Sequence, residues 1–587
     1  MSSENDNKAQ IFGVEYESEV KDLWDLFQEG HSNNPHGLAF AALHQDRNHI
    51  QLPSADTENI SSLTQNLEWT FADLKNAAEA LASSLQLRGA THSVIAAFLF
   101  PTAEWALFKW AAAKLAAPFA PLDPRMLARE EDVKAVLELL NADSIIVHED
   151  DAATKLDVLL QTLDHQPKIK VICSPFAVSG SDWIPLTSLL NPISLPNGSD
   201  ISRTNGFHDA NASPTGRILF TGGSTGQPKA CEHSVSNLYA ESAGYSSMRD
   251  LSPASRTLIQ SPCNHIMACA AALLTWRAGA AVIFPAQTFN PRASLEAIEQ
   301  YGVTYLPVHH SMTDALIADP AFEPRRVASV RYLQVGGALI GADLLERYAQ
   351  AFIGAKVFPF WGMTEGMYTT ANGLQDEPVL RDGILAVGVG QPGSKVRVAD
   401  PETNTVCRRN EVGELHIGGP TVIARYMHDA SPDSFYEDQY GRWFKSGDQG
   451  VIDGDGRVHM LGRYKDVIKR GGENCYPSLA EHQLMSKAGL KVSLTSRLFK
   501  RARLVYANSP FLSLSRDQTR LSPLLFIVHG LIRAARLASL AFQTPWRARS
   551  QWRSSAQPPR RPSPSQKWKS RTYWSLGLDL ITGWPLS

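Results

Sequence analysis

Short apolar runs alternate with helical patterns along most of this 587-residue chain, and this alternation constrains the fold more than any other feature. Runs of strand length occur at 94–100, 280–285, 303–308 and 330–338, and segments with apolar residues at helical spacing separate them. Strands that alternate with helices are typical of a parallel α/β sheet. Because the chain is too long for one hydrophobic core, we expect two or more domains, the largest made of parallel α/β layers.

Two apolar segments can be interpreted in more detail. In the segment 70–89 the apolar residues fall on one helical stripe, Thr70 can cap the N-terminus and Gly89 can end the helix. The most apolar stretch, 266–284, is interrupted by Arg277 and Gly279. We therefore predict a buried helix followed by a strand there, rather than a membrane span.

The pattern changes in two places further along the chain. Residues 191–216 are rich in Asn, Ser, Pro and Gly and have no periodicity, which indicates a linker or surface loop. From about Val387, short strand-like runs alternate with turn residues, as in KVRVAD, GELHIGG and VIDGDGRVHML. These runs predict a small β-rich subdomain that completes a large domain spanning residues 21–461.

Charge and cysteine content limit the partners and the location that we expect. The net charge of −3 gives no sign of a polyanion partner, so no nucleic acid is expected. The six cysteines include no CxxC pair, and the polar N-terminus shows no secretory signal. These features favour a cytoplasmic protein with reduced thiols, and residues 1–20 are predicted to be disordered.

The last hundred residues differ from the rest of the chain. Residues 487–587 contain 18 Lys and Arg, two Asp and no Glu. Their Pro-, Ser- and Arg-rich end predicts a disordered basic tail. An apolar and basic stretch at 521–542 leaves open a second interpretation, contact of the tail with an anionic membrane surface.

Glycines, hydroxyls and one cation are concentrated at 218–234, ILFTGGSTGQPKACEHS. Glycines let the backbone approach a ligand closely, and the amides and hydroxyls of Thr221, Ser224 and Thr225 can donate to phosphate oxygens. Lys229 supplies the positive charge. The segment is not a Walker A loop, because a proline precedes the lysine and an alanine follows it. Its composition alone does not distinguish a phosphate site from a plain surface turn.

Further motifs decide between these interpretations. Residues 220–229 resemble the phosphate-loop signature of the adenylate-forming (AMP-binding) superfamily of acyl-CoA synthetases and aryl-CoA ligases, with Ala230 in place of the usual Gly. Four more motifs of that superfamily follow in its usual order: FWGMTEG, GELHIGGPTVIARYM, GRWFKSGD and GRYKDVIKRGGENCYP. The resemblance covers roughly residues 20–486. It implies that ATP activates a carboxylic acid as an acyl-adenylate, whose acyl group then passes to a thiol.

The resemblance also implies roles for single residues. Thr221 to Lys229 would hold the β- and γ-phosphates, Thr364 would contact the α-phosphate, and Glu365 would bind Mg²⁺. Asp448 would accept hydrogen bonds from the ribose hydroxyls. The implied catalytic residues are Lys229, Thr364, Glu365 and Arg463, and the implied nucleotide-binding residues are Thr221, Gly222, Gly223, Ser224, Thr225, Gly226, Gly336, Gly337, Ala338, Trp361 and Asp448.

Within this set, the segment 336–338 would lie against adenine, and Trp361 would stack on that ring. His265 matches the position that gates the acyl pocket in CoA ligases, although a core histidine is an open alternative. Residues 261–276 contain no acid to pair with a substrate ammonium, and four alanines, Ala268 and Ala270 to Ala272, would leave room for an acyl group in that pocket. We therefore expect an aryl, fatty or polyketide-type acid. The neighbouring His309 and His310 are interpreted as structural.

The resemblance ends where the superfamily would continue into a small α/β domain with a catalytic Gly-Lys pair. Residues 462–486 are interpreted as a hinge at Lys465 followed by the start of that domain. Residues 487–587 are interpreted as an aberrant continuation of it. Lys567 and Lys569 do not follow a glycine. Two functions stay open: an acid–thiol ligase using ATP, Mg²⁺ and coenzyme A or the phosphopantetheine of an acyl carrier domain, and an impaired ATP/AMP-binding remnant without the catalytic lysine.

Overall fold

The computed structural model describes residues 7–14, 22–52, 65–174, 182–191, 213–222, 228–246, 250–337, 339–373, 376–381, 383–466, 468–470 and 473–475. Several predicted features lie outside these residues. They are most of the linker, the loop residues Gly223, Ser224, Thr225 and Gly226, the glycine-adjacent Ala338, and the tail 487–587.

The first of two large sheets has seven strands, and all neighbouring pairs are parallel except the first. The three central strands are short and fully buried, and they are apolar except for Ser144, as expected where helices cover both faces. In spatial order the strands are Pro228–Ser234, Thr215–Gly222, Phe119–Leu122, Ile95–Phe98, Ser144–Val147, Ile169–Ile172 and Ile184–Pro185.

The second large sheet also has seven strands, with an antiparallel pair at one edge only. Strands predicted at 280–285, 303–308 and 330–338 lie side by side or nearly so within it. In spatial order its strands are Lys356–Pro359, Tyr332–Gly336, Tyr305–His309, Arg256–Leu258, Ala281–Phe284, Leu38–Asp46 and Asn66–Thr70.

Helices fill the space between the two sheets and cover their outer faces. One continuous apolar core joins five central helices to strands of both sheets: Leu23–Asn33, Phe71–Gln86, Ala103–Lys114, Val235–Ser246 and Ile266–Arg277. Separate cores lie under the outer helices, which are Glu130–Leu140 and Asp150–Leu160 on the first sheet and Pro291–Tyr301, His310–Ala318 and Ala342–Ala351 on the second. A short helix, Leu186–Leu189, follows the last strand of the first sheet. The layers confirm the predicted parallel α/β class.

The two segments interpreted in detail fold as predicted. Thr70 caps the helix Phe71–Gln86 in a reciprocal capping box with Asp73, and Gly89 has a positive φ of 88° just beyond its end. The apolar stretch 266–284 is a buried helix, Ile266–Arg277, and then the strand Ala281–Phe284. Among the described residues, no helix combines the length and apolar character needed to cross a membrane.

A six-stranded antiparallel sheet forms the predicted β-rich subdomain. Its main path is Gln10–Phe12, Lys395–Ala399, Gly413–Gly418, Gly441–Ile452 and Phe435–Asp438, and the strand Val458–Arg463 pairs with Gly441–Ile452. Six short strands outside the three large sheets complete the described β-structure. Four have two residues and two have three: Thr370–Ala371, Leu380–Arg381, Ile384–Leu385, Val389–Gly390, Ile468–Arg470 and Glu473–Cys475.

The prediction of disorder for residues 1–20 is wrong for part of that segment. Gln10–Phe12 pairs with Lys395–Ala399 as an edge strand, and Ala9 is fully buried in the core of the antiparallel sheet. The backbone amide of Ala9 donates to the carbonyl of Cys407 at 2.9 Å. A few apolar residues in a polar context are enough for an edge strand, because backbone pairing supplies most of its contacts.

Candidate active site

A cavity of about 430 Å³ lies where the first sheet meets the antiparallel sheet. Three stretches of chain form its wall: the hairpin at the edge of the first sheet, the turn after the edge strand of the second sheet, and the strands around Asp448. The lining residues are Thr221, Gly222, Lys229, His265, Ile266, Gly362, Met363, Thr364, Glu365, Glu414, Tyr426, Ser434, Phe444, Lys445, Ser446, Gly447, Arg463 and Lys465. The cavity therefore brings together residues from all five sequence motifs.

The hairpin contributes Lys229 and Thr221. These residues are direct partners in the antiparallel pair formed by Pro228–Ser234 and Thr215–Gly222, one pair away from the end at which residues 223–227 connect the two strands. The Lys229 ammonium lies 5.1 Å from the centre of the Tyr426 ring. A cation on an aromatic face is held in place without being neutralised by a carboxylate. Lys229 is thus available to an anionic ligand in the cavity.

The Thr364–Glu365 turn is held by three hydrogen bonds from two other segments of the chain. The His233 ring donates from Nε2 to the Thr364 carbonyl at 2.8 Å, and the Ile423 amide donates to the Glu365 carbonyl at 2.9 Å. The Tyr426 hydroxyl donates to Glu365 Oε1 at 2.6 Å. Burial lowers the pKa of His233, so this ring is neutral and serves as a donor through Nε2. The turn is a rigid part of the cavity wall.

Asp448 is buried and held by two donors. The Trp361 indole donates to its Oδ2 at 2.8 Å, and the Arg463 guanidinium lies 2.7 Å from its Oδ1. Burial raises the pKa of Asp448 above its ordinary value, while Arg463 opposes that shift. Glu414 Oε1 accepts the Gly447 amide at 2.9 Å and so fixes the turn just before Asp448. A buried carboxylate in this setting is well suited to accept ligand hydroxyls.

His265 lies in the cavity wall at the start of the helix Ile266–Arg277, and its Nδ1 accepts the Met267 amide at 3.2 Å. Burial, with a smaller contribution from His309, lowers the pKa of His265. The four alanines of the helix, Ala268 and Ala270 to Ala272, lie in the central core. This cavity therefore gives no support to the prediction that they leave room for an acyl group.

The glycines expected beside adenine are required by packing. A Cβ on Gly336 would come within 2.3 Å of the Phe360 ring, and a Cβ on Gly337 within 1.9 Å of His309 Nε2. Gly337 also has a positive φ of 80°. Trp361 lies in the core of the antiparallel sheet with its indole on Asp448. The structure thus gives these residues packing roles, and their contact with adenine stays a prediction.

Sequence reasoning missed three residues that organise the cavity: His233, Glu414 and Tyr426. His233 and Tyr426 act through Thr364 and Glu365, which lie far from them in sequence. Glu414 and Tyr426 fall inside the recognised motif GELHIGGPTVIARYM, so motif membership was the available signal for them, whereas His233 follows the 220–229 motif; no local pattern reveals the partners of any of the three. Lys465 and Arg463 line the cavity as predicted residues of the last motif, and the hinge role of Lys465 stays a prediction.

The chain belongs to the AMP-binding enzyme family, whose model matches residues 49–427. It is 24% identical over 503 residues to an acyl-CoA ligase of Pestalotiopsis microspora, covering 83% of this chain and 86% of that protein. It is 33% identical over 278 residues to a feruloyl-CoA synthase of Amycolatopsis sp, covering 47% of this chain and 54% of that protein. The chain thus spans about half the length of the second relative.

Solved structures share the fold. ATP-bound MatB from Rhodopseudomonas palustris superposes with a TM-score of 0.64 at 22% identity, over 79% of this chain and 83% of that one. The O-succinylbenzoate coenzyme A synthetase of Bacillus subtilis, in complex with ATP and magnesium ion, gives 0.61 at 20% identity, over 80% and 86%. The acyl-CoA ligase, the feruloyl-CoA synthase and the O-succinylbenzoate coenzyme A synthetase are acid–thiol ligases by name, and none of the comparisons supports the alternative of an impaired remnant.

Proposed function

We propose that the cavity binds ATP and a carboxylic acid, joins them as an acyl-adenylate, and supports transfer of the acyl group to the thiol of coenzyme A or of a carrier-protein phosphopantetheine. The observation that carries this proposal is the convergence of Lys229, the Thr364–Glu365 turn and Arg463 on one cavity, with the buried Asp448 paired to Arg463 at its wall. Lys229 matches the negative charge of the triphosphate, Glu365 matches the Mg²⁺ ion that accompanies ATP, and Asp448 matches the ribose hydroxyls.

In the adenylation step, a substrate carboxylate oxygen attacks the α-phosphorus and the bond to pyrophosphate breaks. Charge then increases on the phosphate oxygens, so preorganised donors accelerate the step. Lys229 is placed to stabilise that charge from the hairpin, and Thr364 from the facing turn. Asp448 and Arg463 fix the nucleoside end, which sets the position of the α-phosphorus relative to the acid.

Glu365 fits a Mg²⁺ ligand. Magnesium in nucleotide sites is usually held by one or two carboxylates together with substrate phosphates, and retains water. Glu365 supplies one such carboxylate in the cavity wall, and the described residues contain no cluster of three or more metal-ligating side chains that would form a protein cage. When bound, Mg²⁺ would neutralise phosphate charge.

The acid is proposed to be hydrophobic, with no ammonium group. Residues 261–276, which run from the cavity wall into the core, contain no carboxylate. An ammonium buried beside them would have no partner, which is costly. Similar proteins are named for feruloyl, 2-succinylbenzoate and indoleacetate groups.

The test is ATP–pyrophosphate exchange by the full chain across a panel of aryl acids, fatty acids and α-amino acids. We expect exchange with at least one aryl or fatty acid and none with amino acids. Exchange only with amino acids would contradict the substrate class. Binding of ATP without exchange for any acid would contradict the proposed catalysis and favour a nucleotide-binding remnant.

A further inference from the structure

Tyr426 contacts two charged residues of the cavity wall, Lys229 and Glu365, to which the proposed function assigns phosphate and Mg²⁺. Its hydroxyl donates to Glu365 Oε1 at 2.6 Å, and its ring lies 5.1 Å from the Lys229 ammonium. Its backbone forms a bridge to Cys231, two residues beyond Lys229 on the same strand. One side chain thus contacts a carboxylate and a lysine of opposite charge that do not form an ion pair with each other in the described structure.

The Tyr426 ring is held firmly. It is 3% exposed, and the rings of Phe435 and Phe444 meet it edge to face at 5.7 and 6.3 Å. The Glu365 carboxylate can only accept a hydrogen bond, so the Tyr426 hydroxyl acts as the donor. The ring cannot turn away from Glu365 without disturbing the aromatic cluster.

The hydrogen bond also distinguishes the two oxygens of Glu365. Tyr426 occupies Oε1, whereas Oε2 accepts no hydrogen bond from the part of the chain that the structure describes. Residues that orient a metal-binding carboxylate in this way commonly change metal affinity or activity when they are replaced. A cation bound by Glu365 would therefore depend on a residue that does not touch it.

We infer that Tyr426 is a positioning residue, which orients Glu365 for Mg²⁺ through its hydroxyl and places Lys229 through its ring. This inference rests on the proposed function, because it takes Glu365 as the Mg²⁺ ligand. It goes beyond the proposed function because it assigns one task to the Tyr426 hydroxyl and another to the Tyr426 ring. Removing the hydroxyl affects the magnesium dependence, and removing the ring also affects the placement of the lysine.

The experiment is calorimetric titration of a non-hydrolysable ATP analogue at a series of Mg²⁺ concentrations, with the full chain. Tyr426→Phe is expected to raise the Mg²⁺ concentration for half-maximal enhancement of binding by about 10- to 100-fold, the usual effect of losing a partner of a metal ligand. Its affinity without Mg²⁺ should be unchanged, because the ring still holds Lys229. Tyr426→Leu should weaken binding even without Mg²⁺.

The matched control is Tyr436→Phe. Tyr436 lies in the same antiparallel sheet, and its hydroxyl accepts a hydrogen bond from Arg397 at 3.0 Å, outside the cavity wall. It should leave the Mg²⁺ dependence unchanged. In a Glu365→Gln background, Tyr426→Phe should have no further effect on Mg²⁺ dependence, because the hydroxyl acts through that carboxylate.

The outcomes separate the inference from the proposed function. If the unmodified chain shows no Mg²⁺-enhanced binding, the role of Glu365 in the proposed function fails. If that enhancement exists but Tyr426→Phe leaves its magnesium dependence unchanged, the positioning role alone is overturned. A uniform loss of affinity in Tyr426→Phe at every Mg²⁺ concentration would identify a purely structural residue and would also overturn it.

Discussion

The two walls of the cavity differ in how their charges are held. The hairpin wall, Thr221 and Lys229, presents a cation that rests on an aromatic face. The sheet wall is lined by Gly447 and Arg463, and the next residue along the strand, the buried Asp448, is held by Trp361 and Arg463. The difference is that Lys229 has no carboxylate partner among the described residues, whereas the charge of Asp448 is compensated by Arg463; this contrast is consistent with the proposed roles in phosphate and hydroxyl binding.

Loss of the cation on the hairpin wall should have the largest effect. We expect Lys229→Ala to lower the rate of ATP–pyrophosphate exchange by about 10²–10³, as when one preorganised donor is removed from a charged transition state. Lys75→Ala is the control, because Lys75 pairs with Glu79 on a helix surface. An exchange rate that falls equally in both variants would contradict a special role for the hairpin wall.

Loss of the acceptor on the sheet wall should have a smaller effect, on binding rather than on rate. Asp448→Asn is expected to weaken a non-hydrolysable ATP analogue by about 10- to 100-fold, since hydrogen bonds to charged groups contribute about 1.5–3 kcal/mol. The unmodified chain should discriminate against 2′-deoxy-ATP and the variant should not. Equal discrimination against 2′-deoxy-ATP by both proteins would contradict the assignment of Asp448 to the ribose hydroxyls.

The pH dependence of nucleotide affinity tests the sheet wall in particular, because the pKa of Asp448 is raised. The carboxylate accepts ligand hydroxyls as an anion, so affinity is retained above its folded-state pKa and lost as the pH falls through it. The midpoint should lie above the ordinary value of 3.8. The stability contribution has the opposite sign: the folded state binds the extra proton, so stability decreases as the pH rises from 3.8 through the raised pKa.

Trp361→Phe tests this prediction without removing the acid. The indole hydrogen bond lowers the pKa of Asp448, so its loss should move the midpoint of nucleotide affinity to a higher pH. At neutral pH we expect a loss of about three- to tenfold in affinity, equivalent to one hydrogen bond. Titrations of both proteins at several pH values measure the shift, and a midpoint that does not move would contradict the assignment.

The smallest effect on binding is expected far from both walls. Thr70→Ala removes the capping box of the helix Phe71–Gln86 and should lower the free energy of unfolding by about 1 kcal/mol. ATP affinity should be unchanged, because the cap lies outside the cavity wall. Denaturant unfolding and nucleotide titration of the same variant check both halves of this expectation.

The sequence predicted the elements whose signals are local. The cap at Thr70, the buried helix Ile266–Arg277 and the order of the apolar strands all follow from short-range patterns. The edge strand Gln10–Phe12 was missed, because its pairing with Lys395–Ala399 spans nearly 400 residues and leaves little local signal.

The same distinction applies to the cavity. Six residues were predicted from motifs, and the structure brings five of them to the cavity wall and pairs the sixth, Asp448, with Arg463: Thr221, Lys229, Thr364, Glu365, Arg463 and Asp448. The links between motifs were not predicted, as in the contact of Tyr426 with Glu365, 61 residues away, and of His233 with Thr364, 131 residues away. Such contacts are set by tertiary packing, which a residue pattern does not encode.

The most direct test of two walls with separate tasks is a pair of calorimetric titrations, one with inorganic tripolyphosphate and one with adenosine. Lys229→Ala should lose affinity for tripolyphosphate and keep that for adenosine. Asp448→Asn should lose affinity for adenosine and keep that for tripolyphosphate. If either substitution weakens both ligands to the same extent, the two walls do not bind separate parts of the nucleotide.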